Sequence, residues 1–470
     1  MEVTRSNFKD SKSEFLTHLE TADFISFDLE TTGLKSEERT KTDLPFENYY
    51  KTYHAANKYA IIQMGLCIYK AKPCATLDET EPSYLQKDIE FEAFPFTFYL
   101  FPRTYDGLML RDVGMEVSSI QYNVFKHKID WNKWLAQGVG YYDREEREYL
   151  RNVIFSDKGV PGSQLSNSQL EQIESIMAGF QVWYQSPATL KVNLKGILEQ
   201  KLDNDPKAYI IKDLPISIKK ALRDQIRALD SNLFIQDIFS EENKNNDYKV
   251  LKLSEHALSG VKNLIPKIRK KLYQDAIGFS YIWECIQQKI KTDNIPVVGH
   301  DCMSDLSFWY AHLEGNLNPD YQWFKAEVGR MLSGGIFDTR CISATLEMDR
   351  QMIQTLHDER DEDDDHYIHF ADSKFDVRAD PKHTAGKVAY MTGFAFLEMV
   401  RNLDTTLVNS FLNIVNINPN VLYHYDFGSI EKDYPRSNKV WTIVLRDKEA
   451  AKLRVKNNCI DKKGKIIQSN

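Results

Sequence analysis

The chain has 470 residues, 42% apolar and 12% aromatic, which is ample for a sizeable core and excludes a wholly disordered chain. Sixty Lys and Arg against 68 Asp and Glu give a formal net charge of -8, so no basic excess advertises nucleic-acid binding, although a local groove needs none. Six cysteines (67, 74, 285, 302, 341 and 459) form no C-x-x-C pair and predict reduced thiols rather than a disulfide or zinc framework, as in a nuclear or cytoplasmic protein.

The length predicts two or three domains, or one large domain with an insert. The N-terminus, MEVTRSNFKDSKSEFL, has no apolar run of signal-peptide length, and nowhere do about 18 uncharged apolar residues run together. The C-terminus, NNCIDKKGKIIQSN, shows no lipid-anchor motif, so no membrane attachment is expected.

In chain order, residues 13–20 predict a short helix around Phe15, Leu16 and Leu19. ADFISFDLETTGL then alternates as a strand does, with Ile25, Phe27 and Leu29 on one face and Ser26, Asp28 and Glu30 on the other. YAIIQMGLCIYK (59–70) and FTFYLFPR (96–103) are two more strands, and the three predict an antiparallel meander opening a mixed sheet. DREEREYLRN (143–152) reads as an exposed helix, and SDKGVPGSQLSNSQ as a linker. Helices follow at 167–182 and 215–229, the second with Ile218, Leu222, Ile226 and Leu229 at helical spacing. EENKNND (241–247) is another polar break. Beyond 270, AIGFSYIWECIQQKI is a helix, IPVVGHD a short buried strand and SDLSFWYAHL a helix. GGIFDTRCISATL repeats strand-then-helix, and HTAGKVAYMTGFAFLEMVRNL (383–403) is a strong helix. HDERDEDDDH (357–366) predicts a solvated loop, and VWTIVL (440–445) a late strand. The division expected is 1–155 and 256–450 as two halves of one α/β domain, 156–255 as a small inserted α/β domain, and 451–470 as a tail.

Buried carboxylates are costly unless they bind a metal or a partner. Asp28 and Glu30 lie side by side on a strand whose opposite face is apolar. Asp305 follows VVGH at the start of a helix, and the carboxyl end of a strand is where open sheets place ligands. His383 opens the last core helix. Strand carboxylates, a second-segment aspartate and a late histidine are the parts needed for two-metal phosphodiester cleavage, with oxygen ligands for Mg²⁺ and a histidine as general base. Each residue alone has a plainer reading. Asp28 and Glu30 fit a salt-bridged strand end, and Asp305 fits a charge at a helix start. His383 fits an exposed or capping residue, and Asp338 fits a helix cap. His300 is expected to order its loop, and Phe308, Trp309 and Tyr310 to pack in the core. The basic stretch VKNLIPKIRKK (261–271) fits an RNA-facing strip or a solvated helix face.

FDLETTGL, VVGHDCMSDL and HTAGKVAY together resemble the three motifs of the Asp-Glu-Asp-Asp-histidine 3′-5′ exonucleases. The resemblance is closest to the poly(A)-specific ribonuclease (PARN) family of deadenylases and small-RNA 3′ trimmers. IIQMGLCIY, FTFYLFPR, the segment ending DREEREYL, AIGFSYIW, FDTRCISA and HTAGKVAYMTGFAFLEM extend it, in order, over roughly 20–155 and 270–445. It implies a ribonuclease-H-like mixed sheet flanked by helices, acting on single-stranded RNA 3′ ends with Mg²⁺ or Mn²⁺, two ions in the active form. It implies Asp28, Glu30 and Asp305 as metal ligands and His383 as the general base. It also implies a homodimer, or a hetero-assembly with a related protein if catalysis is lost.

Several departures from the family stand out. The insert lacks the Arg-x-x-x-His signature of the family's small nucleic-acid-binding domain. The C-terminal RNA-recognition domain and the membrane anchor of the piRNA-trimming branch are not found. The aspartate expected five residues after the histidine is Val388, and Thr31 and Leu34 depart beside the first motif. Loss of one acid predicts either recruitment of another, such as Asp338 or Asp380, or an impaired nuclease that still binds RNA.

Overall fold

The structure is a computed structural model. It describes residues 1–34, 45–74, 81–87, 89–102, 112–155, 166–185, 208–212, 214, 216–230, 233–239, 246–252, 266–267, 269–346, 368–370, 372–376, 384–401, 403–416, 423–428, 434–435, 458–460 and 466–468. Residues 156–165 of the expected linker (156–169), the acidic loop, the late strand, Asp380 and His383 lie outside these residues, and the linker's last four residues instead form the cap and start of a helix. The chain divides into two compact units. One comprises the described residues within Met1–Pro102, Arg111–Asp143 and Ile282–Asn470, and the other those within Arg144–Tyr281.

The first unit is built on one mixed sheet. Its opening strands are β1 (Glu2–Val3), β2 (Phe24–Thr31), β3 (Ile61–Ala71) and β4 (Phe91–Tyr99), with helices α1 (Phe8–Leu19) and α2 (Pro45–Lys58) between them. β2, β3 and β4 form the antiparallel meander read from the sequence, with Asp28 opposite Gly65 and Glu30 opposite Gln63. β4 begins at Phe91, five residues before the expected strand, and so contains Pro95. A proline cannot donate to a ladder. Pro95 is accommodated because it lies between the two short strands that share that edge of β4, one at Phe91–Ala93 and one at Thr97–Phe98. Helices α3 (Val117–Phe125) and α4 (Trp131–Gln137) follow.

The second unit contains α5 (Arg144–Phe155), α6 (Asn167–Tyr184), β5 (Ala208–Ile211), α7 (Ile216–Leu229), β6 (Leu233–Phe239) and β7 (Asn246–Lys252). The strands form an antiparallel sheet in the order β5-β7-β6. Ser166 and Gln169 close a capping box that starts α6. Its core gathers Ile173, Phe180, Ile218, Leu222, Ile226 and Val250. Leu229 does not join them. It is the last residue of α7 and is 41% exposed, because the apolar stripe runs out of partners at the helix end. Lys267, Lys270 and Lys271 of the basic stretch are exposed, and the guanidinium of Arg269 donates to the Phe155 carbonyl, which fits the solvated-face reading.

The chain returns to the first unit through α8 (Phe279–Asp293), with the unit boundary in its first turn. β8 (Val297–Gly299), α9 (Met303–Leu313), α10 (Tyr321–Met331), β9 (Ile336–Asp338) and α11 (Thr339–Thr345) follow, then β10 (Ile368–Phe370), α12 (Ala385–Val400), α13 (Thr405–Asn409), β11 (Ile414–Asn416) and β12 (Tyr423–Asp426). β8 and β9 extend the sheet in parallel, giving the order β1-β4-β3-β2-β8-β9 with β10 also on β4.

Both faces of β2 are covered, so its alternation separates two layers rather than core from solvent. On one face Phe27 packs 4.8 Å from Trp309, which meets Trp283 at 4.9 Å. On the other, Phe24 meets Phe396 of α12 at 5.4 Å and Ser26 Oγ donates to the Ala389 carbonyl at 2.6 Å. Small residues let α12 lie close on the sheet. A Cβ on Gly65 would stand 1.9 Å from the Ala385 carbonyl oxygen, and one on Gly386 2.3 Å from Thr97 Oγ1. Among the described residues no helix is long and apolar enough to cross a membrane.

Candidate active site

The site lies at the end of β2. Strand parity sends Asp28 and Glu30 to the same face as Ser26, which meets α12. The first turn of α12 rides on Gly65, the ladder partner of Asp28. Its Ala385 N–H donates to Oε1 of Gln63, the ladder partner of Glu30. Thr384 caps this turn by accepting from Lys387 N. Asp305 enters from the first turn of α9.

These elements place Asp28, Glu30 and Asp305 in one electrostatic field. Burial, then the charges of Glu30 and Asp305, push the Asp28 carboxyl well above the usual carboxylate range. No hydrogen-bond donor among the described residues meets Asp28. A desolvated carboxylate facing two others is stable only protonated or beside a cation. Oxygen donors carrying excess negative charge fit a hard divalent ion. Among the described residues no three His, Cys, Asp or Glu side chains already form a closed ligand set. Mg²⁺ does not require one, since it binds through one or two carboxylates and keeps waters and substrate phosphate oxygens.

His383 lies outside the described residues, one position before the capping Thr384. Val388 sits one turn into α12, half-buried, while Ala385 and Thr392 on the same helix are buried. Asp338 does not substitute for the absent acid. It is fully buried, and its carboxylate is taken up by the backbone N–H groups of Asp301, Arg340 and Asn416. His300 places Nδ1 2.9 Å from Thr339 Oγ1, a contact that ties its loop to the start of α11. Phe308, Trp309 and Tyr310 are core residues.

One neighbour was invisible in the sequence. His127, buried just after α3, places Nδ1 2.8 Å from Oε1 of Glu30. Its segment is fixed to the end of β2. Asn123 Nδ2 donates to the Thr31 carbonyl at 3.0 Å, and Glu116 N donates to the Thr32 carbonyl at 2.8 Å. Nothing in the local spacing of KHKIDWNK marks a histidine whose partner is 97 residues upstream.

The sequence profile of the CAF1 family ribonucleases matches residues 3–396. The poly(A)-specific ribonuclease PARN of Xenopus laevis is 24% identical over 433 residues, which cover 87% of this chain and 63% of that protein. The pre-piRNA 3′-exonuclease trimmer of Bombyx mori is 22% identical over 424 residues, covering 85% of this chain and 71% of that one. The chain thus spans less than two thirds of its frog relative. Among solved structures, the Mg²⁺- and Mn²⁺-bound form of S. pombe Pop2p shares 12% identity over 89% of this chain and 98% of that one, with a TM-score of 0.40. The profile match, which covers most of the chain and all three carboxylates, makes this chain a member of the CAF1 ribonuclease family.

Proposed function

We propose that this protein is a 3′-5′ exoribonuclease that shortens single-stranded RNA ends with the help of divalent ions, and that Val388 makes it slower than relatives carrying an acid there. The observation that supports this most directly is the mutual charge of Asp28, Glu30 and Asp305, which together with burial raises the Asp28 carboxyl. Asp28, Glu30 and Asp305 would hold Mg²⁺ or Mn²⁺. Bound ions supply positive charge against the scissile phosphate and orient the attacking water. His383 takes the proton from that water, which attacks the last phosphodiester and releases a nucleoside 5′-monophosphate. Glu30 keeps its orientation through His127. Frayed single-stranded ends suit this site because unstacked bases and the 2′-OH are accessible.

A second reading rests on Val388, whose branched apolar side chain offers no ligand. In it the protein grips an RNA end without cutting. Incubation of labelled oligo(A) and a mixed-sequence RNA with Mg²⁺ or Mn²⁺ separates the two. Metal-dependent shortening that Asp28→Ala abolishes supports the nuclease. RNA binding with no shortening, and shortening gained by Val388→Asp, supports the binding protein.

A further inference from the structure

We infer that Asp338 is the positioning residue for Asp305, holding the turn that delivers this carboxylate to the site. The inference rests on the exoribonuclease reading for its consequence, but not for its geometry.

α9 begins at Met303, two residues before Asp305, and its N-cap is Cys302, whose side chain makes no capping bond. The helix therefore lacks the local hydroxyl or carboxylate that usually fixes a helix start. Asp338 supplies the anchor from another strand. Its Oδ1 accepts from Asp301 N at 2.8 Å and from Arg340 N at 2.9 Å. Its Oδ2 accepts from Asn416 N at 2.9 Å, and lies 3.4 Å from Cys302 N and 3.7 Å from Cys302 Sγ. One fully buried carboxylate thus joins the turn before α9, the start of α11 and strand β11.

The turn needs this clamp because Asp301 has φ 52°, a left-handed conformation that a non-glycine residue adopts at a cost. Two further contacts hold it. Asp301 Oδ1 accepts from Asn416 Nδ2 at 2.6 Å, and Thr339 Oγ1, beside His300 Nδ1, donates to the Gly299 carbonyl at 3.2 Å. Asp305 lies less than one helical turn beyond, so a displacement of residues 301–302 moves it directly. Outer partners that orient metal ligands typically govern 10- to 100-fold in affinity.

Asp338→Asn keeps the shape and replaces one acceptor oxygen with a donor that opposes backbone N–H groups. Hydrogen–deuterium exchange, Mn²⁺ titration and steady-state kinetics on the full chain test it. The expected result is faster exchange in residues 299–306, Mn²⁺ affinity lower by about tenfold or more, and a fall in kcat with little change in KM for RNA. Unchanged exchange in 299–306, or equal losses in every peptide with an unaltered Mn²⁺ affinity, would overturn the inference. Should this variant not fold, Asn416→Ala, which removes the side-chain tether to Asp301, is expected to speed exchange of the same segment, and no change there refutes the claim. A wild type that binds no Mn²⁺ and cuts no RNA would sink the nuclease reading, while the exchange data would still decide the role of Asp338.

Discussion

Replacing Val388 with aspartate is the most informative single perturbation. Residue 388 lies in the stretch of α12 between Ala385, whose carbonyl rests on Gly65 opposite Asp28, and Ala389, whose carbonyl accepts from Ser26. A carboxylate there joins a field that already raises Asp28. At an effective dielectric of 20, a like charge about 6 Å away costs roughly 3 kcal/mol. Losing a half-buried valine adds about 1 kcal/mol, and the helix N-terminus returns about 0.5 kcal/mol. Without metal, Val388→Asp should therefore be less stable than the wild type by roughly 3.5 kcal/mol, on the sum of these effects. Mn²⁺ should reverse the loss, because the added charge becomes a ligand. Shortening of 5′-labelled oligo(A) in Mg²⁺ should accelerate by about 100-fold or more, as expected when a missing member of a catalytic unit is restored. Thermal unfolding with and without Mn²⁺, together with the cleavage assay, reads both effects. A variant as stable as the wild type in EDTA, with no gain in Mn²⁺ stabilisation or in rate, would refute the placement of residue 388 beside the carboxylates.

Gly65→Ala should lower stability by about 3 kcal/mol or more, read as a lower unfolding midpoint in urea, because its Cβ would meet the Ala385 carbonyl oxygen at 1.9 Å and force α12 off the sheet. Asp338 gives a pH signature. Burial first, then the charge of Asp301, raise its carboxyl to about 6, against the pull of its N–H donors. The folded value lies above the unfolded one, so the contribution is fully present below pH about 4 and is lost as pH rises through about 6. Between those limits the wild type should lose about 3 kcal/mol relative to Asp338→Asn, which cannot titrate. Parallel stability curves for the two proteins would contradict this.

The central sheet was legible because strand parity and aromatic or branched residues specify β2, β3 and β4 almost without context. The same parity put Asp28 and Glu30 on one face. It could not show that this face is also covered, since a strand buried on both sides still alternates in chemistry. The start of β4 was hidden by Pro95, which reads as a breaker until the gap between β1 and β10 is seen. α2 carries its buried face on Asn48, Tyr49, Thr52, Ala55 and Ala56, too polar a stripe for periodicity to reveal. At the site, the carboxylates and Val388 were marked by motif resemblance. His127 and Asn416 were not, because their importance comes from contacts made across 97 and 78 residues of chain.

Direct measurement of Mn²⁺ binding to the purified chain, by calorimetry or electron paramagnetic resonance, bears most directly on the claim that Asp28, Glu30 and Asp305 gather divalent ions. The wild type should bind Mn²⁺ and release protons as it does so, and Asp28→Ala and Asp305→Ala should each lose most of that affinity. A wild type that leaves Mn²⁺ free, or alanine variants that bind it as tightly, would contradict the account.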